Sequence, residues 1–241
     1  MGCLSELDVV ILAGGLGSRL APVIDKTPKV LAPVQEKPFV QHLIDQVHSF
    51  GARRIVFALG HMALAVQTYL AKATPPALDV VTVVEPRPLG TGGALRFALP
   101  HIASETVLVM NGDSFVQADF CRFLAFHRSR PARVSMVVTR VPDAARYGLV
   151  DTDAQGRVTA YQEKVEAAGA AGDINAGVYC FEAEAIRAIP TGRPVSLERE
   201  VFPPLCGRGW YAMRGEFSFI DIGTRESYRM ADTFFCGARA S

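Results

Sequence analysis

Apolar positions along the first 140 residues fall into two alternating patterns. Short runs rich in Val, Ile and Leu recur at 7–13, 53–59, 78–84, 105–110 and 133–139. Continuous apolar runs of about four to eight residues predict strands buried on both faces. Between the first two, residues 38–50 place Phe39, Leu43, Val47 and Phe50 along one helical face, with Pro38 near the first turn and Gly51 past the end. Residues 61–73, 92–99 and 120–130 are likewise read as helices. Strand and helix alternate at βαβ spacing, which predicts an α/β fold: an open, mostly parallel sheet with helices on both faces.

Past residue 140 the rhythm changes. Residues 147–151 and 157–162 flank Asp153-Ala154-Gln155-Gly156, a hairpin signal with a glycine free to take positive φ. Residues 166–172 read as an Ala/Gly-rich loop, and 176–181, 211–213 and 217–220 as further strands. Ser196 is placed to cap a helix running to Val201 and stopped by Pro203-Pro204; Arg199 holds the third helical position, so the capping box is absent. Thr224 is placed to cap the last helix, with Tyr228, Ala231 and Phe235 along its apolar side. No repeat or low-complexity linker divides the chain. It reads as one domain over 1–241, with an antiparallel insertion, from about residue 141, over one edge of the sheet.

Composition adds limits. With 49% hydrophobic residues the chain can form a core without staples. A net charge of +1 argues against a broad basic face for nucleic acid but leaves room for a small phosphate pocket. The first apolar run is too short to span a membrane and follows no basic leader, so the expected setting is cytoplasmic. Met1-Gly2-Cys3 contains types that carry lipids elsewhere, but Glu6 departs from the acylation pattern, and the stretch reads as a short start before the first strand. Cys3, Cys121, Cys180, Cys206 and Cys236 are odd in number, scattered and without a CxxC pair. They are expected to be reduced thiols, with neither a disulfide scaffold nor a zinc site.

The first predicted strand runs into Leu12-Ala13-Gly14-Gly15-Leu16-Gly17-Ser18-Arg19. Glycines here let backbone amides approach a ligand, and Arg19 adds a fork of donors suited to phosphate. The spacing is not that of a Walker loop and fits a dinucleotide fingerprint poorly. Taken alone, the loop reads equally as a phosphate cradle or a tight turn. Lys29, stiffened by Pro28 and Pro33, reads alone as a surface lysine or as a second phosphate ligand. Gly90-Thr91-Gly92-Gly93 offers backbone donors at a helix start, or merely a loop entry. Asp113 and Asp221 each follow an apolar run, as metal ligands or turn caps do.

Taken in order, ILAGGLGSRLAP, TPKVLAPVQEKPF, EPRPLGTGGA, Asn111-Gly112-Asp113, Glu163-Lys164, Asn175-Ala176-Gly177 and Asp221-Ile222-Gly223 resemble the sugar-1-phosphate nucleotidyltransferases over essentially the whole chain. That resemblance implies a Rossmann-like, three-layer fold with a mixed, mostly parallel central sheet, a nucleotide-binding part over about 1–140 and a sugar-phosphate part over about 141–241. It implies that Leu12, Ala13, Gly14, Gly15, Gly17, Ser18, Arg19 and Lys29 meet the triphosphate, and that Glu85, Gly90, Thr91 and Gly92 meet the base and ribose. Asp113 and Asp221 would hold Mg²⁺. Gly112, Tyr147, Gly148, Glu163, Lys164, Asn175, Ala176 and Gly177 would meet the sugar phosphate. The family often has Glu-Lys-Pro where this chain has Glu163-Lys164-Val165, which implies a different loop or sugar.

The sugar phosphate is then its own nucleophile, attacking the α-phosphorus and expelling pyrophosphate, with Arg19, Lys29 and the two aspartates as the working groups. Glu85, an acceptor, suits the N–H donors of guanine and so favours GTP. The most specific likeness, carried by APVQEKPF, EPRPLGTGGA and SLEREVFP, is to D-glycero-α-D-manno-heptose 1-phosphate guanylyltransferases, which supply GDP-heptose for capsule, surface-layer or lipopolysaccharide glycans. Uridylyl-, thymidylyl- or cytidylyltransferases of hexose or N-acetylmuramic acid 1-phosphate remain alternatives. So does a sugar-nucleotide-binding protein without turnover. A dehydrogenase is disfavoured, because the second strand ends Ala58-Leu59-Gly60 and lacks an acid. Neither nucleic acid nor membrane is expected as a partner, and a homodimer is expected from the family alone.

Overall fold

A computed structural model of the chain describes residues 2–15, 27–163 and 170–237. The apolar runs of the first half become β1 (Asp8–Ala13), β4 (Arg54–Leu59), β5 (Asp79–Val84) and β6 (Thr106–Asn111). These pair in parallel in the order β6-β1-β4-β5. Between β1 and β4 lie a two-residue ribbon, β2 (Pro33–Val34) with β3 (Lys37–Pro38), and helix α1 (Phe39–Ser49). Helix α2 (Ala63–Ala73) joins β4 to β5, and α3 (Gly90–Ala98) joins β5 to β6.

After β6 come the short strand β7 (Ser114–Val116), helix α4 (Phe120–Arg128) and β8 (Val134–Val141). The expected hairpin is β9 (Gly148–Thr152) with β10 (Val158–Glu163), paired antiparallel. A long strand, β11 (Gly172–Glu182), runs antiparallel to β6, β8 and β9, and so joins the hairpin to the parallel sheet. Helix α5 (Ala183–Arg187), strands β12 (Trp210–Gly215) and β13 (Phe219–Asp221) and helix α6 (Arg225–Gly237) complete the described chain. β12 lies parallel to β8, and β13 pairs antiparallel with β7 as a separate ribbon. The architecture is Rossmann-like: a mixed, mostly parallel core sheet with small antiparallel additions.

The strand residues alternate between two buried clusters. Val9, Ile11, Ile55, Phe57, Leu108 and Met110 pack on one side with Phe39, Leu43, Phe120, Phe123 and Phe235. Val10, Val56, Val107 and Val109 pack on the other with Leu95, Ile186, Phe202 and Trp210. Continuous apolar runs are what burial on both faces demands. Among the described residues no helix is long and apolar enough to cross a membrane.

Two expectations need correction. Cys3 and Cys121 are joined by a disulfide, not held as free thiols; Cys180, Cys206 and Cys236 are the free ones. The amide of Leu4 donates to Phe50 O, just past α1, which pins the start of the chain beside the first turn of α4. A sequence separation of 118 between the two cysteines hides that contact from spacing arguments. The predicted helix after Ser196 is a single wide turn, Leu197–Val201, with π-type bonding. Ser196 Oγ does accept the Arg199 amide, and Glu200, one position later than a capping box would use, accepts the Ser196 amide. Thr224 caps α6 as expected, exchanging reciprocal bonds with Ser227.

Candidate active site

The parallel strands end together, and their ends build one wall of a cavity of about 580 Å³. Parallel pairing sets Leu12 opposite Asn111 and Ala13 opposite Leu59, and the amides of Gly112 and Glu85 continue the ladder to Leu12 O and Leu59 O. Leu12, Ala13, Gly14, Gly15, Glu85, Asn111, Gly112 and Asp113 therefore meet at one rim without help from sequence proximity. A crevice at the carboxyl ends of parallel strands is where open α/β sheets bind ligands.

Glycine at 14 leaves room for Glu85: a Cβ there would stand 2.4 Å from Glu85 Oε1, and the carboxylate would have to move aside. The other carboxylate oxygen accepts the Leu89 amide at 2.7 Å. Burial pushes the Glu85 carboxyl above its ordinary pKa, and the Leu89 bond offsets part of that rise. The result is an acceptor fixed at the cavity edge.

The glycine turn at 90–93 is organised differently from the expectation. Gly90 and Thr91 line the cavity, but the amides of Gly92 and Gly93 donate to Val195 O at 2.9 and 3.1 Å. Gly92 is not on the cavity surface, because that carbonyl has taken the donor it was expected to offer a ligand. Thr91 Oγ1 donates to Glu198 Oε2 at 2.7 Å and accepts the Leu197 amide. Ser196 Oγ donates to the same Glu198 oxygen. The turn is thus latched to residues 195–198, a segment for which the sequence implied a helix start but no contact with the turn.

The opposite wall comes from the antiparallel strands. β9 lies between β10 and β11, with Gly148 directly across from Glu163 and Leu149 across from Ile174. This register brings Gly148, Glu163 and Asn175 together. Tyr161 fills the space over Gly148, where a Cβ would stand 2.2 Å from its hydroxyl. That hydroxyl donates to Glu163 Oε2 at 2.9 Å, and Asn175 Nδ2 donates to Tyr179 Oη at 2.9 Å. Burial first, then the nearby carboxylate of Glu163, raises the Tyr161 pKa well above ordinary, so the phenol stays a donor. Ala176 and Gly177 lie behind this wall: Ala176 is fully buried, and the Gly177 amide is held by Asn175 Oδ1.

Asp113 and Asp221 meet through the β7–β13 ribbon. Asp221 pairs across from Ser114, and the Ile222 amide donates to Asp113 O at 2.9 Å. Lys29, set by a short 3₁₀ turn after Pro28, donates to Asp113 Oδ2 at 2.5 Å. A Cβ on Gly223 would stand 2.6 Å from Asp221 Oδ1 and 3.6 Å from Lys29 Nζ, so Asp221 and the lysine that holds Asp113 flank one small glycine. Tyr147 Oη and Arg146 Nη2 reach Asp221 Oδ2 at 2.5 and 3.2 Å. Burial, then the Asp221 carboxylate, raises the Tyr147 pKa, which keeps this hydroxyl protonated.

Among the described residues no group of three or more His, Cys, Asp and Glu side chains lies together. A donor set of two carboxylates suits a hard cation that takes its remaining oxygens from phosphate and water. Leu16, Gly17, Ser18, Arg19 and Lys164 lie outside the described residues. His61, Arg146, Tyr161, Ser196, Glu198 and Arg199 also line the cavity, and none of them was assigned to a ligand from sequence. Only the run SLEREVFP, noted for its likeness, pointed near them.

A family model described as "Nucleotidyl transferase" matches residues 8–236. The chain is 35% identical over 226 residues to a mannose-1-phosphate guanylyltransferase of Mycobacterium tuberculosis, covering 92% of this chain and 63% of that protein. It is 30% identical over 230 residues to the D-glycero-alpha-D-manno-heptose 1-phosphate guanylyltransferase of Aneurinibacillus thermoaerophilus, covering 93% and 96%. A crystal structure of HddC from Yersinia pseudotuberculosis complexed with GMP-PN superposes with a TM-score of 0.83 at 32% identity, covering 95% of this chain and 99% of that one.

Proposed function

The chain belongs to the nucleotidyl transferase family, and from that premise we propose that it transfers guanylate from GTP to a sugar 1-phosphate, with D-glycero-α-D-manno-heptose 1-phosphate as the favoured acceptor and pyrophosphate as the second product. The observation that carries this reading is that a single cavity joins the glycine turn and Glu85 on one wall to Glu163 and Asn175 on the other, with the Lys29–Asp113 pair on its lining. Its volume falls within the range of about 300–1,000 Å³ typical of ligand sites.

The acceptor's phosphate is its own nucleophile, since a phosphate monoester is largely dianionic above its second pKa of about 6. What the protein supplies is position and charge. Lys29 and Arg19 together offset charge on the α-phosphate and on the pyrophosphate that leaves. Glu163 and Asn175 hold sugar hydroxyls, the former aimed by Tyr161. Lys164 brings the second anion against the first. Asp113 and Asp221 would hold Mg²⁺, which draws negative charge from the phosphate oxygens.

The guanine preference rests on Glu85, whose fixed carboxylate suits the adjacent N–H donors of that base. Relatives named as guanylyltransferases support it. Mannose 1-phosphate is the second reading, favoured by the 35% identity to the mycobacterial relative. Pyrophosphate release is measured with Mg²⁺ across GTP, ATP, CTP, UTP and dTTP against the 1-phosphates of mannoheptose, mannose, glucose and N-acetylmuramic acid. Turnover with GTP and the heptose phosphate is expected. Turnover only with a pyrimidine nucleotide would discard the argument from Glu85, and turnover with mannose phosphate alone would select the second reading.

A further inference from the structure

Each of the two aspartates assigned to the metal already has a cation of this chain against it. Lys29 closes Asp113, and Arg146 closes Asp221. Arg146 does more than touch its carboxylate. Its Nη2 spans Asp221 Oδ2 and Tyr147 Oη, at 3.2 and 2.8 Å, while Nη1 donates to Thr224 Oγ1 at 2.9 Å. The guanidinium therefore sits where three oxygens from two elements converge, at the wall of the cavity. The same Asp221 is supported from behind by the Gly223 amide at 2.6 Å and by Ser227 Oγ at 3.2 Å, both on Oδ1. Oδ2 is thus the oxygen turned toward Arg146 and Tyr147, and the bonds to Oδ1 and from Tyr147 hold the carboxylate independently of the arginine.

We propose that Arg146 is a positioning residue that stands in for the divalent cation at Asp221 and is released toward the substrate phosphates when the metal arrives. This rests on the metal assignment made above. The physical ground is a mismatch in holding strength. The Arg146 side chain is 42% exposed while that of Asp221 is 14% exposed. An ion pair with one partner in solvent shifts an equilibrium by only about two- to fivefold, so a divalent ion arriving with several phosphate oxygens can displace it. With Arg146 in place the site carries two carboxylates against two cations and is near neutral. Once the metal takes the carboxylates, the arginine fork is left over, and that fork matches phosphate oxygens. Holding the cation beside the site beforehand shortens the rearrangement each substrate must wait for.

The test is binding of Mn²⁺ alone, without nucleotide or sugar phosphate, followed by electron paramagnetic resonance of the free ion. Wild type, Arg146→Met, Arg146→Lys and Asp221→Asn are compared after circular dichroism has shown each to be folded. The proposal predicts that Arg146→Met binds Mn²⁺ roughly two- to fivefold more tightly than wild type, and that Arg146→Lys, which keeps a cation there, falls between them. Arg146→Met binding no more tightly than wild type, or more weakly, would overturn the proposal and leave Arg146 as a brace for Asp221. Asp221→Asn binding Mn²⁺ as well as wild type would overturn it for a different reason, by removing the metal assignment on which it rests.

Discussion

The two walls of the cavity are built by different means. On the parallel side, the groups sit at the ends of β1, β4, β5 and β6, where each strand stops at the same level as its neighbour. Backbone and glycine contribute much of that wall, with the Glu85 carboxylate held beside Gly14 by the Leu89 amide. On the antiparallel side, Glu163, Asn175, Tyr161 and Tyr179 work as a hydrogen-bonded set of side chains brought together by cross-strand register. A wall of main chain accepts a part common to many ligands, such as a triphosphate. A wall of side chains can be re-aimed by single substitutions. The difference suggests why one fold can keep its nucleotide chemistry while changing its sugar.

Substitutions can break or sharpen this contrast. Asp113→Asn is predicted to have the largest effect, a loss of kcat of about a thousandfold or more with the fold retained, because it strips charge from a carboxylate proposed to hold the metal. Steady-state pyrophosphate release and circular dichroism check both halves of that statement, and near-normal turnover would remove Asp113 from the site. Cys3→Ser is next: opening the Cys3–Cys121 link is expected to cost about 2–4 kcal/mol of unfolding free energy, read by urea titration, while both KM values stay put. A shift in either KM would mean the disulfide shapes the cavity and not only the fold.

Smaller effects should separate the walls. Tyr161→Phe removes the donor that aims Glu163; KM for the sugar phosphate is predicted to rise about three- to tenfold, as loss of one hydrogen bond implies, with KM for GTP unchanged. Equal changes in both would blur the division. Glu85→Gln should do the converse, lowering the preference for GTP over other nucleotides. It should also change the pH dependence of stability. Burial raises the Glu85 carboxyl pKa in the folded state, so the folded protein holds its proton to higher pH than the unfolded chain does. Its contribution is then greatest below the ordinary carboxylate range and is lost as pH rises through the raised value. Urea midpoints of Glu85→Gln between pH 4 and 7, approximately that window, should fall less steeply than those of wild type; parallel curves would contradict the assignment.

What could be read from the sequence follows the same division. The apolar runs announce buried parallel strands, and Gly14-Gly15, Glu85 and Asp113 fall at their ends, where position along the chain implies position in space. Period tells which face a residue takes but not which strand it will meet. The β7–β13 ribbon that sets Asp221 across from Ser114, and the Thr91–Glu198 bond that latches the glycine turn, join residues about a hundred apart and leave no local trace. The Cys3–Cys121 link is hidden for the same reason, and the argument from an odd, scattered count describes small disulfide-rich scaffolds, not one staple on a large core. The resemblance implied that Gly92 meets the base or ribose, and a glycine-rich helix start often has amides to spare; here Val195 O takes the amides of Gly92 and its neighbour Gly93.

The claim that one cavity has a nucleotide wall and a sugar wall is tested most directly by amide hydrogen exchange, comparing the free protein with the GTP·Mg²⁺ and sugar 1-phosphate complexes. GTP is predicted to slow exchange around residues 12–15 and 85–91, and the sugar phosphate around 147–150 and 161–163. Protection of both stretches to the same degree by either ligand, or protection by the sugar phosphate confined to 12–15 and 85–91, would contradict the account.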